Sequence, residues 1–119
     1  MAEFMTKDEL KILLWNFRDM QVQVEFFEKN GKRESLLCDK IMELEKTVEL
    51  LDTALKVLNT RERFIIESHL ILQYTWPETV VRMTNHFGVN NTRSERTLKR
   101  IQNQALEKLL IFMEKIGEY

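Results

Sequence analysis

The stretch "TWPETVVRMTNHFGVNNTRSERTLKRI", Thr75 to Ile101, carries the punctuation of two helices joined by a turn. Thr75 is a helix-capping residue, and Glu78 stands three positions on, where its side chain can reach back to the cap's own backbone N–H. Pro77 falls in the first turn, where a missing N–H costs nothing. Val80, Met83 and Phe87 follow at helical spacing, with Val81 and Trp76 beside them. Gly88 occupies the position where a helix end needs left-handed backbone angles, and Val89 is expected to fold back over the core. Thr92 and Glu95 repeat the capping sign and open a basic helix.

The same cap-plus-glutamate sign recurs upstream at Asn59 and Glu62 and at Thr6 and Glu9, each time before an apolar repeat of helical period. "NTRERFIIESHLILQY", Asn59 to Tyr74, sets Phe64, Ile65, Leu70, Ile71 and Leu72 on a broad apolar face. Downstream, Leu98, Ile101, Ala105, Leu109, Phe112 and Ile116 form one stripe along a long final helix. Residues 59–119 are therefore expected to be a three-helix unit whose last two members make a helix-turn-helix.

Residues 1–58 have a different rhythm. Leu10, Leu13, Phe17, Met20, Val24 and Phe27 alternate three and four apart, as do Leu37, Ile41, Leu44, Val48, Leu51, Leu55 and Leu58. Such stripes are coiled-coil seams. The breaker "NGKR", Asn30 to Arg33, leaves so short a connection that an antiparallel helical hairpin is the cheapest packing, its second helix starting near Glu34 or Ser35. Leu14, Leu36, Met42 and Leu50 widen the seams, so a second surface of the hairpin is expected to be covered, by the C-terminal domain or by a second subunit; because the chain is too small to cover them all, a homodimer or another partner is expected.

Composition narrows the class. Three glycines and one proline in 119 residues are too few for the turns of an all-β fold, so the chain is expected to be all-α. The single Cys38 excludes an internal disulfide and any cysteine-based zinc site, and implies a reducing compartment. No apolar run is long enough to cross a membrane, and the acidic start lacks the order of a signal peptide, so a cytoplasmic protein is expected. His69 and His86 lack neighbouring ligands at metal spacing, and there is no glycine-rich phosphate loop, nucleophile elbow or apolar carboxylate pair. The expectation is therefore a protein that is not an enzyme and takes no cofactor. A near-neutral total hides an asymmetry: residues 1–58 carry nine Lys/Arg against twelve Asp/Glu, residues 59–119 nine against seven. An anionic partner would meet the C-terminal half.

"LNTRERFIIESHLILQYTWPETVVRMTNHFGV" followed by "TLKRIQNQALEKLL" resembles the C-terminal promoter-reading region of bacterial sigma factors (sigma region 4), with its "L-x-x-R-E-R" opening and its basic helix closing in "A-L-x-K-L". Joined to an acidic helical half, the module resembles the ArpU and RinA type of phage late-gene transcription regulators. The resemblance covers residues 58–110 for the sigma-like part and implies an activator of phage or prophage late genes that binds DNA without catalysis. "NNTR" departs from the pattern as an insertion in the turn, so contact positions are chosen from helix geometry.

Opposite the stripe of Leu98, Ile101 and Ala105 lie Arg93, Arg96, Lys99, Arg100 and Asn103, near the end that a recognition helix inserts into the major groove. Arginine's planar fork suits guanine O6 and N7, and asparagine suits adenine N6 and N7. Phosphate contacts are expected at Thr75, from the helix N-terminus, and at Arg82. The partners so implied are double-stranded DNA and, through the hairpin, a second copy or RNA polymerase. The alternative is a helical adaptor that binds RNA polymerase or a repressor and does not read DNA.

Overall fold

A computed structural model of the protein describes residues 5–30, 35–91 and 93–117. Their regular structure is entirely helical: α1 (Lys7–Trp15), α2 (Phe17–Asn30), α3 (Ser35–Leu55), α4 (Thr60–Ile65) continued by a π-helical stretch (Ile66–Ile71), α5 (Trp76–Phe87), a 3₁₀ turn (Val89–Asn91) and α6 (Glu95–Gly117).

Three of the expected caps form with both reciprocal bonds, at Thr6 and Glu9, Asn59 and Glu62, and Thr75 and Glu78. Each satisfies two N–H groups that a helix start would leave orphaned. The last helix starts later than its sequence signature suggests. Ser94 caps it, its Oγ accepting from the Thr97 N–H at 3.2 Å while its carbonyl accepts from the Leu98 N–H at 3.0 Å. Thr92, the expected cap, lies outside the described residues.

The first apolar stripe is shared by two helices instead of one. Asn16 closes α1 at φ −96°, ψ 0°, and its side-chain amide donates to the Ile12 carbonyl at 2.8 Å, the competition with the backbone that makes asparagine a poor interior helix residue. After this break α1 packs on α6 and the π-helical stretch, whereas α2 packs on α3. A second departure lies in Asn59–Tyr74, where one helix was expected. Beyond Ile65 the bonding widens, with the Leu72 N–H on the Glu67 carbonyl (2.8 Å) and the Tyr74 N–H on that of Ser68 (3.0 Å). Gln73 then takes φ 65°, and its amide donates to the Trp15 carbonyl at 3.0 Å, tying this corner to the end of α1.

The main apolar cluster draws on both sides of Leu58. It unites Leu10 and Leu14 of α1, Phe17 and Met20 of α2, Leu51, Ala54 and Leu55 of α3, Ile66 and Leu70 of the π-helical stretch, and Ala105, Leu106, Leu109 and Met113 of α6. A smaller cluster of Ile65, Met83 and Leu98, flanked by Phe64, Trp76, Val80, Phe87 and Ile101, joins α4 and α5 to the start of α6. Contacting α1, α3, α4 and α5, α6 is the element around which the others are arranged.

Of the residues that widen the seams, two are covered within the chain. Leu14 is fully buried and Leu50 packs against the main cluster, so neither is left for a partner, while Met42 is 46 % exposed. The side chain of Leu36 lies outside the described residues. Val89 does not fold back over the core but is 80 % exposed. The cause is the backbone of Gly88, which has the expected positive φ (94°) but ψ 158°, extended instead of left-handed helical, so the chain leaves α5 outward. Ile116, expected in the final stripe, is also exposed, whereas Gln102 and Leu106 are buried.

Leu106→Ala should lower stability by about 2–5 kcal/mol in urea unfolding, because the residue is fully buried in the main cluster, whereas Met42→Ala should stay within about 0.5 kcal/mol. An unchanged midpoint for Leu106→Ala would place α6 outside the core.

Candidate nucleic-acid interface

The position of α6 is fixed by packing and by one buried charge. Glu62, 4 % exposed, accepts from the Asn59 N–H at 3.0 Å and from Lys108 Nζ at 2.9 Å to Oε1 and 2.8 Å to Oε2. The start of α4 is thereby bonded to the middle of α6. With Leu98, Gln102, Ala105, Leu106 and Leu109 turned inward, the opposite arc presents Arg96, Lys99, Arg100 and Asn103, all exposed, over its first turns. Arg93 is half-buried and precedes the Ser94 cap, so it belongs to the turn and not to the helical face on which its spacing had placed it.

Two acids border this face. Lys99 pairs with Glu95 at 3.0 Å, and its ammonium lies 5.9 Å from the centroid of the Trp76 ring. Both partners of that pair are about half exposed, and such a one-turn ion pair is worth a few tenths of a kcal/mol, little enough for a phosphate to displace. Glu107, one turn beyond Asn103, is bonded at 2.7 Å by Lys7 of α1. The N-terminal half thus neutralises the acid nearest the centre of the arc.

Thr75, which caps α5, and Arg82 on α5 are engaged within the protein. The Thr75 hydroxyl accepts from the Glu78 N–H (3.3 Å) and donates to Glu78 Oε1 (2.8 Å), and the Thr75 N–H donates to the same oxygen (3.1 Å). The hydroxyl first, and then the backbone N–H, hold the Glu78 carboxyl below the usual carboxylate range. Arg82 is half-buried, donates from Nε to Ser68 Oγ at 3.2 Å, and stands 4.7 Å from the Tyr74 ring centroid and 5.3 Å from that of Phe64. Its planar guanidinium therefore pins α5 to the π-helical stretch.

At the edge of the α6 face a pocket of about 390 Å³ is lined by Lys11, His69, Leu70, Trp76, Lys99, Gln102 and Asn103. His69 stacks on Trp76 with ring centroids 3.7 Å apart and donates from Nδ1 to the Tyr74 carbonyl at 2.8 Å. Burial is the main cause that pushes its pKa below the ordinary 6.5; the Tyr74 carbonyl opposes this, Lys11 and Lys99 add to it, and Glu95 opposes it weakly. Gln102 is 6 % exposed, and among the described residues its Oε1 has no hydrogen-bond partner. Sequence reasoning missed Lys7, Lys11, His69 and Gln102 as neighbours of the basic face. The only signal was the one-turn spacing of Lys7 and Lys11, which sets both on one side of α1 but does not say what lies opposite.

Among the described residues, no three His, Cys, Asp or Glu side chains are grouped to hold a metal ion, and no helix is long and apolar enough to cross a membrane. Comparison with protein-family models, curated proteins and solved structures found no match to this chain.

Two measurements follow from this geometry. Gly88→Ala should cost about 1–3 kcal/mol, wholly through the backbone, since a Cβ there meets nothing within 4 Å while φ 94° with ψ 158° is open only to glycine. A Gly88→Ala variant as stable as the parent would show that the turn relaxes to another conformation. Because the unfolded chain binds a proton at His69 more readily than the folded one, the contribution of His69 is complete above about pH 6.5 and is lost as pH falls through its lowered folded value. Stability should therefore drop more steeply as pH falls below about 6.5 in the parent than in His69→Gln; equal slopes would leave His69 unperturbed.

Proposed function

We propose that the protein is a sequence-specific double-stranded DNA-binding transcription regulator, an activator of phage or prophage late genes that acts in the cytoplasm by binding and not by catalysis. The observation that carries this reading is the exposed arc of Arg96, Lys99, Arg100 and Asn103 over the first turns of α6, which follows α5 through a turn. In this reading α5 and α6 form the helix-turn-helix, and the start of α6 enters the major groove. Arg96, Arg100 and Asn103 read base edges, joined by Arg93 from the turn, while Lys99 and Arg82 approach phosphates; the N–H groups of Thr75 and Glu78 at the α5 start, expected to do the same, are taken up by their own cap. The resemblance to the sigma-like and ArpU and RinA regulators supports the same assignment.

The N-terminal half would then be a hairpin of α2 and α3 that pairs with a second copy or contacts RNA polymerase, and the exposed Val22, Phe26 and Met42 suit such a surface. Those side chains, with Ile12 and Trp15, also favour the rival reading of an adaptor that binds a protein and leaves DNA unread.

Fluorescence anisotropy with promoter-bearing and random duplexes, repeated over a range of salt, separates the two readings. Arg96→Ala should lose about 1–3 kcal/mol on the cognate site and relax base preference at one position. Lys99→Ala should weaken cognate and random DNA alike and lower the salt slope by about one. Equal losses on every duplex would reduce the helix to an electrostatic anchor. Unaltered binding by both folded variants would leave the basic face merely solvated, and absence of binding by the parent would give the adaptor reading precedence.

A further inference from the structure

We propose that α1 is part of the DNA interface, and that Lys11, together with Lys99, holds a backbone phosphate at the pocket beside the α6 face. This rests on the DNA-binding reading and extends it to a helix outside the helix-turn-helix. The pocket is formed by Lys11 from α1, His69 and Leu70 from the π-helical stretch, Trp76 from α5, and Lys99, Gln102 and Asn103 from α6, and among the described residues no carboxylate lines it. Two ammonium groups facing one concavity repel each other and favour an anion between them.

The acids that do stand nearby are weakly held. Asp8 is 4.0 Å from Lys11 with its side chain 92 % exposed, and Glu95 is 3.0 Å from Lys99 with its own side chain 44 % exposed. Both pairs are screened by water and yield to a phosphate. His69, the remaining titratable group in the wall, is held toward its neutral form by burial and by the two lysines, so it adds no repulsion to an incoming anion's partners and leaves the site's charge to them.

Gln102, only 6 % exposed, lies in the same pocket wall, and among the described residues no donor meets its carboxamide Oε1. A buried acceptor in that state is unfavourable unless something donates to it. The placement of Lys11 is also prepared: Lys7, one turn earlier on α1, is bonded to Glu107 on the exposed arc of α6, and this tether sets α1 alongside that arc.

The test is anisotropy with cognate and random duplexes across salt, using the full chain and the variants Lys11→Gln, Lys11→Arg, Lys99→Gln and, as a control on α3, Lys40→Gln, each first shown to be folded by circular dichroism. Lys11→Gln is expected to weaken binding about three- to tenfold on both duplexes and to lower the salt slope by about one, as for Lys99→Gln. Lys11→Arg should bind like the parent, and Lys40→Gln should change nothing. If Lys11→Gln binds like the parent while Lys99→Gln is weakened, α1 stands clear of DNA and the proposal fails alone. If Lys11→Arg is as weak as Lys11→Gln, charge is not the cause and the proposal also fails. Inorganic phosphate distinguishes the source of the anion: if it shifts the Gln102 side-chain amide resonance at millimolar concentration while Lys11→Gln leaves DNA binding intact, the pocket takes a free anion and not the duplex. Absence of DNA binding by the parent itself would overturn the underlying reading, a result distinct from any of these.

Discussion

Everything near the basic face depends on a carboxylate that is almost entirely out of water. Glu62 closes the cap on Asn59 with one set of bonds and holds Lys108 with another. A buried carboxylate is expensive unless its lone pairs are used, and here a backbone N–H and an ammonium use them. The same side chain thus sets where α4 begins after Leu58 and where the middle of α6 lies against it. Removal of Lys108, itself half exposed, would leave the Glu62 charge stranded in the core, which ties the junction between the two halves of the chain to this contact. Since α6 also packs on α1, α3 and α5, its orientation is over-determined, and the exposed arc inherits that rigidity.

The local features of the fold were legible in the sequence because their causes are local. A cap and its glutamate need only three residues of separation, and the bonds at Thr6, Asn59 and Thr75 form as that spacing dictates. The apolar stripes likewise announced helices. What escaped was decided by competition or by distant partners. Asn16 had the option of bonding its side chain to the Ile12 carbonyl, and the period of the stripe runs through it without a sign. The widening after Ile65 is supported by Ser68, Gln73 and Trp15, which come from two segments far apart in sequence. The described part of the last helix is capped by Ser94, a hydroxyl two positions beyond the expected Thr92.

The candidate site divides along the same line. The inward and outward sides of α6 followed from its period, so the exposure of Arg96, Lys99, Arg100 and Asn103 could be read in advance. The period could not reveal that Glu107 is answered by Lys7, or that Arg82 is engaged by Ser68 and two rings. Nor could the acidic balance of residues 1–58 reveal that lysines from that half stand beside the basic arc. Net charge summed along a segment is a poor guide where one helix of that segment folds against another part of the chain. Local field, set by which side chains share a concavity, is the quantity that a ligand meets.

The Ser94 cap bears on how such proteins are to be compared. Where α6 begins is set by a hydroxyl accepting the Thr97 N–H and not by the number of residues after Gly88. The entropy of closing a connector grows only with the logarithm of its length, so a few inserted residues there cost well under about 1 kcal/mol. The link between α5 and α6 can therefore lengthen or shorten over evolutionary time while the exposed arc stays in place, provided a capping side chain moves with the helix start. Alignment by a fixed spacing from the glycine would shift every arginine on α6 by part of a turn and compare outward residues with inward ones. Homologous positions in this region are better matched backward from the buried Leu98 and Ala105, whose environment cannot slide.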